Sequence, residues 1–127
     1  MSNEALDKFG ELFVKFGRDN AIRRWYAIID GKMGGIWAEE IRKLLEGLSP
    51  EAIQALRDVT PHLVDSVLTN LMYGLEESED VNVSVRLQDG HIIKDLSEVS
   101  DGLAGELYSE AGWIARFSEY PTIDENL

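Results

Sequence analysis

From Thr60 to Leu75 the chain reads TPHLVDSVLTNLMYGL, with apolar residues at Leu63, Val64, Val67, Leu68, Leu71, Met72 and Leu75. The steps between them alternate one and three, which draws a single broad stripe on a helix of 3.6-residue period. Thr60 can cap the first free N–H groups and Pro61 suits the first turn, so this stretch predicts a central helix beginning there. Upstream, Phe9, Leu12, Phe13 and Phe16 share a helical face that Gly17 is expected to end. With Asp19 as its cap, a second helix places Ile22, Trp25, Tyr26 and Ile29 on one side and stops at Gly31. The linker from Gly31 to Gly35 leads into a third helix, with Trp37, Ile41, Leu44, Leu45 and Leu48 inward and Glu39, Glu40, Arg42 and Lys43 outward. Ser49, Pro50 and Glu51 form a strong start signal for a short fourth helix. It buries Ile53, Leu56 and Val59 and ends before Thr60.

After the central helix come Glu76, Glu77, Ser78, Glu79 and Asp80, a charged loop, and then the period changes from 3.6 to 2. Val81, Val83, Val85 and Leu87 alternate with polar residues as in a half-buried strand, Asp89 and Gly90 supply a turn, and His91, Ile92 and Ile93 begin the return strand. A two-residue turn sets Leu87 opposite Ile92, whereas a three-residue loop with a bulge sets Val85 opposite Ile93; the first is the expected register. Farther on, Leu103, Leu107, Ala111, Ile114 and Phe117 fit a helical face interrupted by glycines, which predicts two short helices with a break near Gly112. Pro121 is expected to stop the last helix, leaving 122–127 as a loose tail. The fold class expected is mainly α (α+β): a bundle of about five to seven helices with one β-hairpin near 81–94, inserted after the central helix, in a single domain over 1–127. An isolated hairpin is marginal in water. This one must therefore pack on the helices or gain a strand, from the tail around Ile123 or from another chain.

Composition adds a charge argument. Of 127 residues, 44% are hydrophobic and 28% charged, the make-up of an ordinary globular domain. The net charge is −12. Residues 1–60 hold 9 Lys+Arg against 10 Asp+Glu, and residues 61–127 hold 3 against 14, so −11 falls in the second half. A field of that sign repels nucleic-acid backbones and anionic membrane surfaces and attracts basic partners. The chain has no cysteine, which removes disulfides, thiolate catalysis and Cys-based zinc sites. With no apolar leader and no run of about 18 apolar residues, a cytoplasmic location is the expectation.

Candidate chemistry is sparse. His62 and Asp65 stand three residues apart on the central helix, the spacing of a base oriented by a carboxylate, and they mark the alternative of a small-molecule or enzyme pocket. Glu76, Glu77, Glu79 and Asp80 could gather charge against a basic partner, but they lack the alternating ligands and central glycine of a calcium loop. The Gly31–Gly35 linker lacks the Walker spacing for a phosphate site. No metal and no cofactor is expected. Trp113, beside a glycine near a helix break, is the tryptophan expected to be partly exposed and to anchor a contact rimmed by carboxylates.

In size and charge the chain is similar to the immunity proteins and antitoxins that neutralise basic nucleases, a likeness of physique and not of motif. The function expected is thus a small acidic cytosolic protein-binding module acting on a basic protein. The alternatives are the pocket at His62 and Asp65, and a homodimer joined through the hairpin.

Overall fold

The computed structural model describes residues 3–120. Among them the chain forms four helices, fewer than the five to seven expected, because two of the expected boundaries do not exist. Helix α1 (Glu4–Leu12) passes through a π-helical segment (Phe13–Asp19) directly into α2 (Asn20–Ile29), giving one uninterrupted helical run over 4–29. Gly17 therefore does not stop a helix, and Asp19 has helical dihedrals and caps nothing. The physical reason lies in the wider π turn. Consecutive residues on an α-helix diverge by about 100°. Here both Arg18 and Asp19 are held inward and buried.

The second missing boundary is at Thr60. Helix α3 (Ile36–Leu45) is followed by α4 (Pro50–Glu77), 28 residues long, which runs through Pro61. Its start is as expected: Ser49 Oγ accepts from Ala52 N at 3.1 Å, with Pro50 in the first turn. At Pro61 the helix loses one backbone donor. The neighbouring Thr60 hydroxyl donates to Leu56 O at 2.6 Å and so is satisfied within the helix while buried. At about 1.5 Å per residue α4 is about 42 Å long.

The core gathers Ala5, Leu6, Phe13 and Val14 from the first run, Leu68 and Met72 from α4, and Leu96, Leu103, Leu107, Trp113 and Ile114 from the C-terminal part. Trp113 opens the short helix α5 (Trp113–Phe117) and is 1% exposed. Its ring meets Phe9 edge-on at 5.7 Å and Phe13 at 6.4 Å. Gly10 makes that approach possible, because a Cβ there would lie inside the indole ring. In place of a second short helix before Gly112, the chain makes two 3-10 turns, Leu96–Val99 and Ala104–Leu107. Gly112 is itself buried, and a Cβ on it would come within 2.7 Å of Ser109 N and 2.9 Å of Leu107 O.

The hairpin is present but minimal. Strands β1 (Val85–Arg86) and β2 (Ile92–Ile93) pair antiparallel, with Val85 opposite Ile93 and Arg86 opposite Ile92. This is the three-residue-loop register and not the expected one. Gly90 takes φ +92°, Gly90 N donates to Leu87 O at 3.0 Å and Asp89 Oδ1 accepts from His91 N at 2.9 Å, which fixes a turn plus bulge. As a result Val83, Val85, Leu87 and Ile93 pack against the core and Ile92 is exposed. The ribbon is secured to α1 by Lys8 Nζ donating to Arg86 O at 3.3 Å and by Gln88 N donating to Glu4 Oε2 at 3.0 Å. It thus packs on the helices; Pro121 and the tail around Ile123 lie outside the described residues.

The central stripe is only half covered. Val64, Leu68, Met72 and Leu75 face the core, while Val59, Leu63, Val67 and Leu71 remain exposed. On α3 only Ala38 is buried; Trp37, Leu44 and Leu48, expected inward, are exposed.

Gly10→Ala should lower the urea midpoint. The clash displaces the largest buried side chain, a loss of about 3 kcal/mol that exceeds the gain of about 1 kcal/mol from helix propensity. A midpoint equal to or above wild type would contradict the Gly10–Trp113 contact.

Candidate functional site

The four loop carboxylates sit where α4 runs out. Glu76 and Glu77 form its last turn, and Glu79 and Asp80 follow the Ser78 cap, all at the end where the helix dipole is negative. The dipole and the charges have the same sign, so nothing in the helix neutralises them. Two further carboxylates reach the same place. Glu76, Asp101 and Glu106 line an open concavity of about 390 Å³ with Tyr73, Gly102, Ala104 and Gly105. Glu76 Oε1 accepts from Ala104 N at 2.7 Å and Glu106 Oε1 from Ser100 Oγ at 3.0 Å, so these two are held in place, while Glu77, Glu79, Asp80 and Asp101 project into solvent. Asp101 and Glu106 were not singled out by sequence reasoning. Their distance along the chain from Glu76 hides a proximity that only the turn at Ala104 creates.

Several of the cations are paired elsewhere. Arg23 pairs with Glu119 at 2.7 Å, Arg57 with Asp30 at 2.7 Å, Arg116 with Asp7 at 2.9 Å and Lys15 with Glu11 at 2.7 Å. The hydrogen bond to Glu11 raises the Lys15 pKa, and those to Glu119 and Asp7 raise Arg23 and Arg116. Among the described residues no ion pair uses a carboxylate between 66 and 115. That interval nevertheless holds ten Asp+Glu over 76–110 against Arg86 and Lys94 alone.

His62 and Asp65 are not brought together as an acid–base pair. His62 is exposed, whereas Asp65 is buried beneath α4. Asp65 Oδ1 accepts from Arg18 Nε at 2.6 Å and Oδ2 from Arg18 Nη2 at 3.3 Å, a two-pronged pair. Arg18 Nη1 donates to Ser118 Oγ at 2.8 Å and to Tyr120 O at 2.7 Å. Asp19 accepts from Ser118 Oγ at 2.6 Å and from Glu119 N at 2.8 Å. The cluster therefore ties the π segment, α4 and residues 118–120 into one unit, and its role is to hold the fold. Sequence reasoning missed Arg18, because its counterion is 47 residues away and only the π turn points it inward.

Trp113 is also placed differently from expectation. It is buried in the aromatic cluster with Phe9 and Phe13, so it presents no surface for a contact. Its position after Gly112 reflects that residue's close backbone approach and not a mobile break.

A second depression lies between α4, α2 and α3. It has a volume of about 270 Å³ and is lined by Trp25, Ile29, Leu45, Leu56, Val59, Thr60, Leu63, Val64 and Val67. Thr60, the one hydroxyl in its lining, is already hydrogen-bonded to Leu56 O. Among the described residues no group of three or more His, Asp or Glu side chains is arranged to hold a metal ion, and no helix is long and apolar enough to cross a membrane. No protein-family model, curated protein or solved structure matches this chain.

Arg18→Met should cost about 3–5 kcal/mol in urea unfolding, since it strands the buried Asp65 carboxylate. Adding Asp65→Leu should recover a large part of that loss, because an apolar pair needs no counterion. A single-variant loss below about 1 kcal/mol would show that the pair is not buried as described.

Proposed function

We propose that this protein is a cytoplasmic binding module that engages a basic protein partner through the acidic end of α4 and so neutralises or regulates it. One observation carries the reading. Glu76, Glu77, Glu79 and Asp80 lie at the C-terminal end of α4, and Asp101 and Glu106 line a concavity with Glu76. Among the described residues none of the six is in an ion pair, while Lys15, Arg23 and Arg57 of the first half pair with carboxylates elsewhere. Uncompensated negative charge costs the folded chain self-repulsion, and a cationic partner relieves that cost. The concavity at Glu76, Asp101 and Glu106 gives the charge a shape. It is open enough to admit a lysine or arginine side chain, and Tyr73 supplies a ring on its wall. The groove residues do not favour the enzyme alternative, since they include no ionisable side chain and Asp65 is committed to Arg18.

The test is binding of a lysine- and arginine-rich peptide across a salt series. Affinity should fall steeply with ionic strength, and combined Glu77→Lys, Glu79→Lys and Asp80→Lys should weaken it about tenfold or more with the fold intact. Binding that ignores both salt and these reversals, or no binding at all, would sink the reading.

A further inference from the structure

We propose that the exposed face of α4 docks a second copy of this chain, as an antiparallel α4–α4 contact about a two-fold axis near Leu63 and Val67. This rests on the apolar face of the helix and is independent of its acidic end.

Val59, Leu63, Val67 and Leu71 follow one another at four-residue steps and are 40%, 61%, 67% and 50% exposed. They form one ridge about 18 Å long, from 12 residues at about 1.5 Å each. Beside the ridge runs the groove already described, and Val59, Leu63 and Val67 belong to both. A ridge and a groove on the same surface are what a two-fold contact requires, since each copy must offer what it receives. Ridges of four-residue spacing packed into such grooves are also the commonest way helices cross.

Helix α3 borders the groove. Leu45 lines it, and Trp37 meets the groove residue Trp25 edge-on at 5.6 Å. It adds Ile36 and Leu44, 79% and 78% exposed, with Trp37 and, just past the helix end, Leu48 also uncovered. At ordinary side-chain areas these eight residues leave on the order of 800 Å² of surface, the share that each partner gives to a standard interface. Apolar patches on monomers stay nearer about 300–600 Å².

Charge selects the occupant. Two copies at −12 each repel, so a contact between them is favoured where exposed carboxylates are few. Between 59 and 75 the one charged residue is Asp65, which is buried on Arg18. The face itself offers apolar side chains with His62, Ser66 and Asn70 beside them. A basic partner gains nothing from such a surface. A second copy finds here a length of helix whose one carboxylate is buried.

Sedimentation equilibrium of the full chain over a wide concentration range tests this. The expected result is a mass of two chains at high concentration, with a dimer fraction that rises with salt as the repulsion is screened, opposite to the salt response of the acidic end. Leu63→Glu and Val67→Glu should each return the mass to one chain and leave the circular dichroism and urea midpoint of the monomer unchanged, because both side chains lie outside the core. The cysteine-free sequence allows a second readout. Mixed Leu63→Cys and Val67→Cys chains should oxidise to a linked dimer faster than either variant alone, as an antiparallel crossing places the two positions opposite each other. A single-chain mass at the highest concentration overturns the proposal, whether the face then proves open or takes an apolar molecule or another protein's helix. A dimer that survives both glutamates also overturns it, by moving the contact elsewhere, for instance to the ribbon.

Discussion

A guanidinium with no exposure to solvent must find its counter-charge inside the protein, and Arg18 finds it on Asp65. That requirement organises the chain. Asp65 can reach Arg18 only if α4 lies against the π segment, and the remaining donors of Arg18 are met only if residues 118–120 return to the same place. Asp19 and Ser118 close the network from the other side. A buried ion pair is a poor source of net stability, since desolvation takes back most of the Coulombic gain, but breaking it is costly. Its contribution here is one of selection: arrangements that separate these three segments leave a bare charge in the core.

The same network explains the helix that did not break. Gly17 offers a stop, yet the helix continues past it and Arg18 and Asp19 are both buried. The π segment keeps both inward at the expense of less regular backbone bonding, and the helix continues to Ile29. π turns are often retained where a side chain must be re-aimed, and the re-aimed group here is structural.

With Arg18 and Asp65 fixing how α4 lies, its apolar stripe is divided in two. One half, Val64, Leu68 and Met72, meets the core with Trp113 and the C-terminal turns; the other, Leu63, Val67 and Leu71, is turned away from it. The stripe is wider than this fold can cover. Charge is divided along the same helix, neutral over its middle and strongly negative at its C-terminal end. One helix therefore offers two surfaces of different chemistry, an apolar face and an acidic end, whose expected responses to salt are opposite.

The sequence by itself determined the helical face residues, the start at Ser49 and Pro50, the existence of the hairpin and the placement of charge in the second half. These are local matters, set by spacing, capping and turn chemistry within a few residues. Tertiary structure decided the rest. Gly17 and Pro61 carry correct local signals that were overridden, one by a buried charge and the other by packing along a 28-residue helix. The hairpin register followed the left-handed Gly90 and the need to bury Ile93. Trp113 was hidden by a glycine about a hundred residues earlier in the chain, and the meeting of Glu76 with Asp101 and Glu106 depended on a turn that no spacing announces. Periodicity tells which residues share a face; it carries no information on which face finds a neighbour, because burial is a property of pairs of elements distant in sequence.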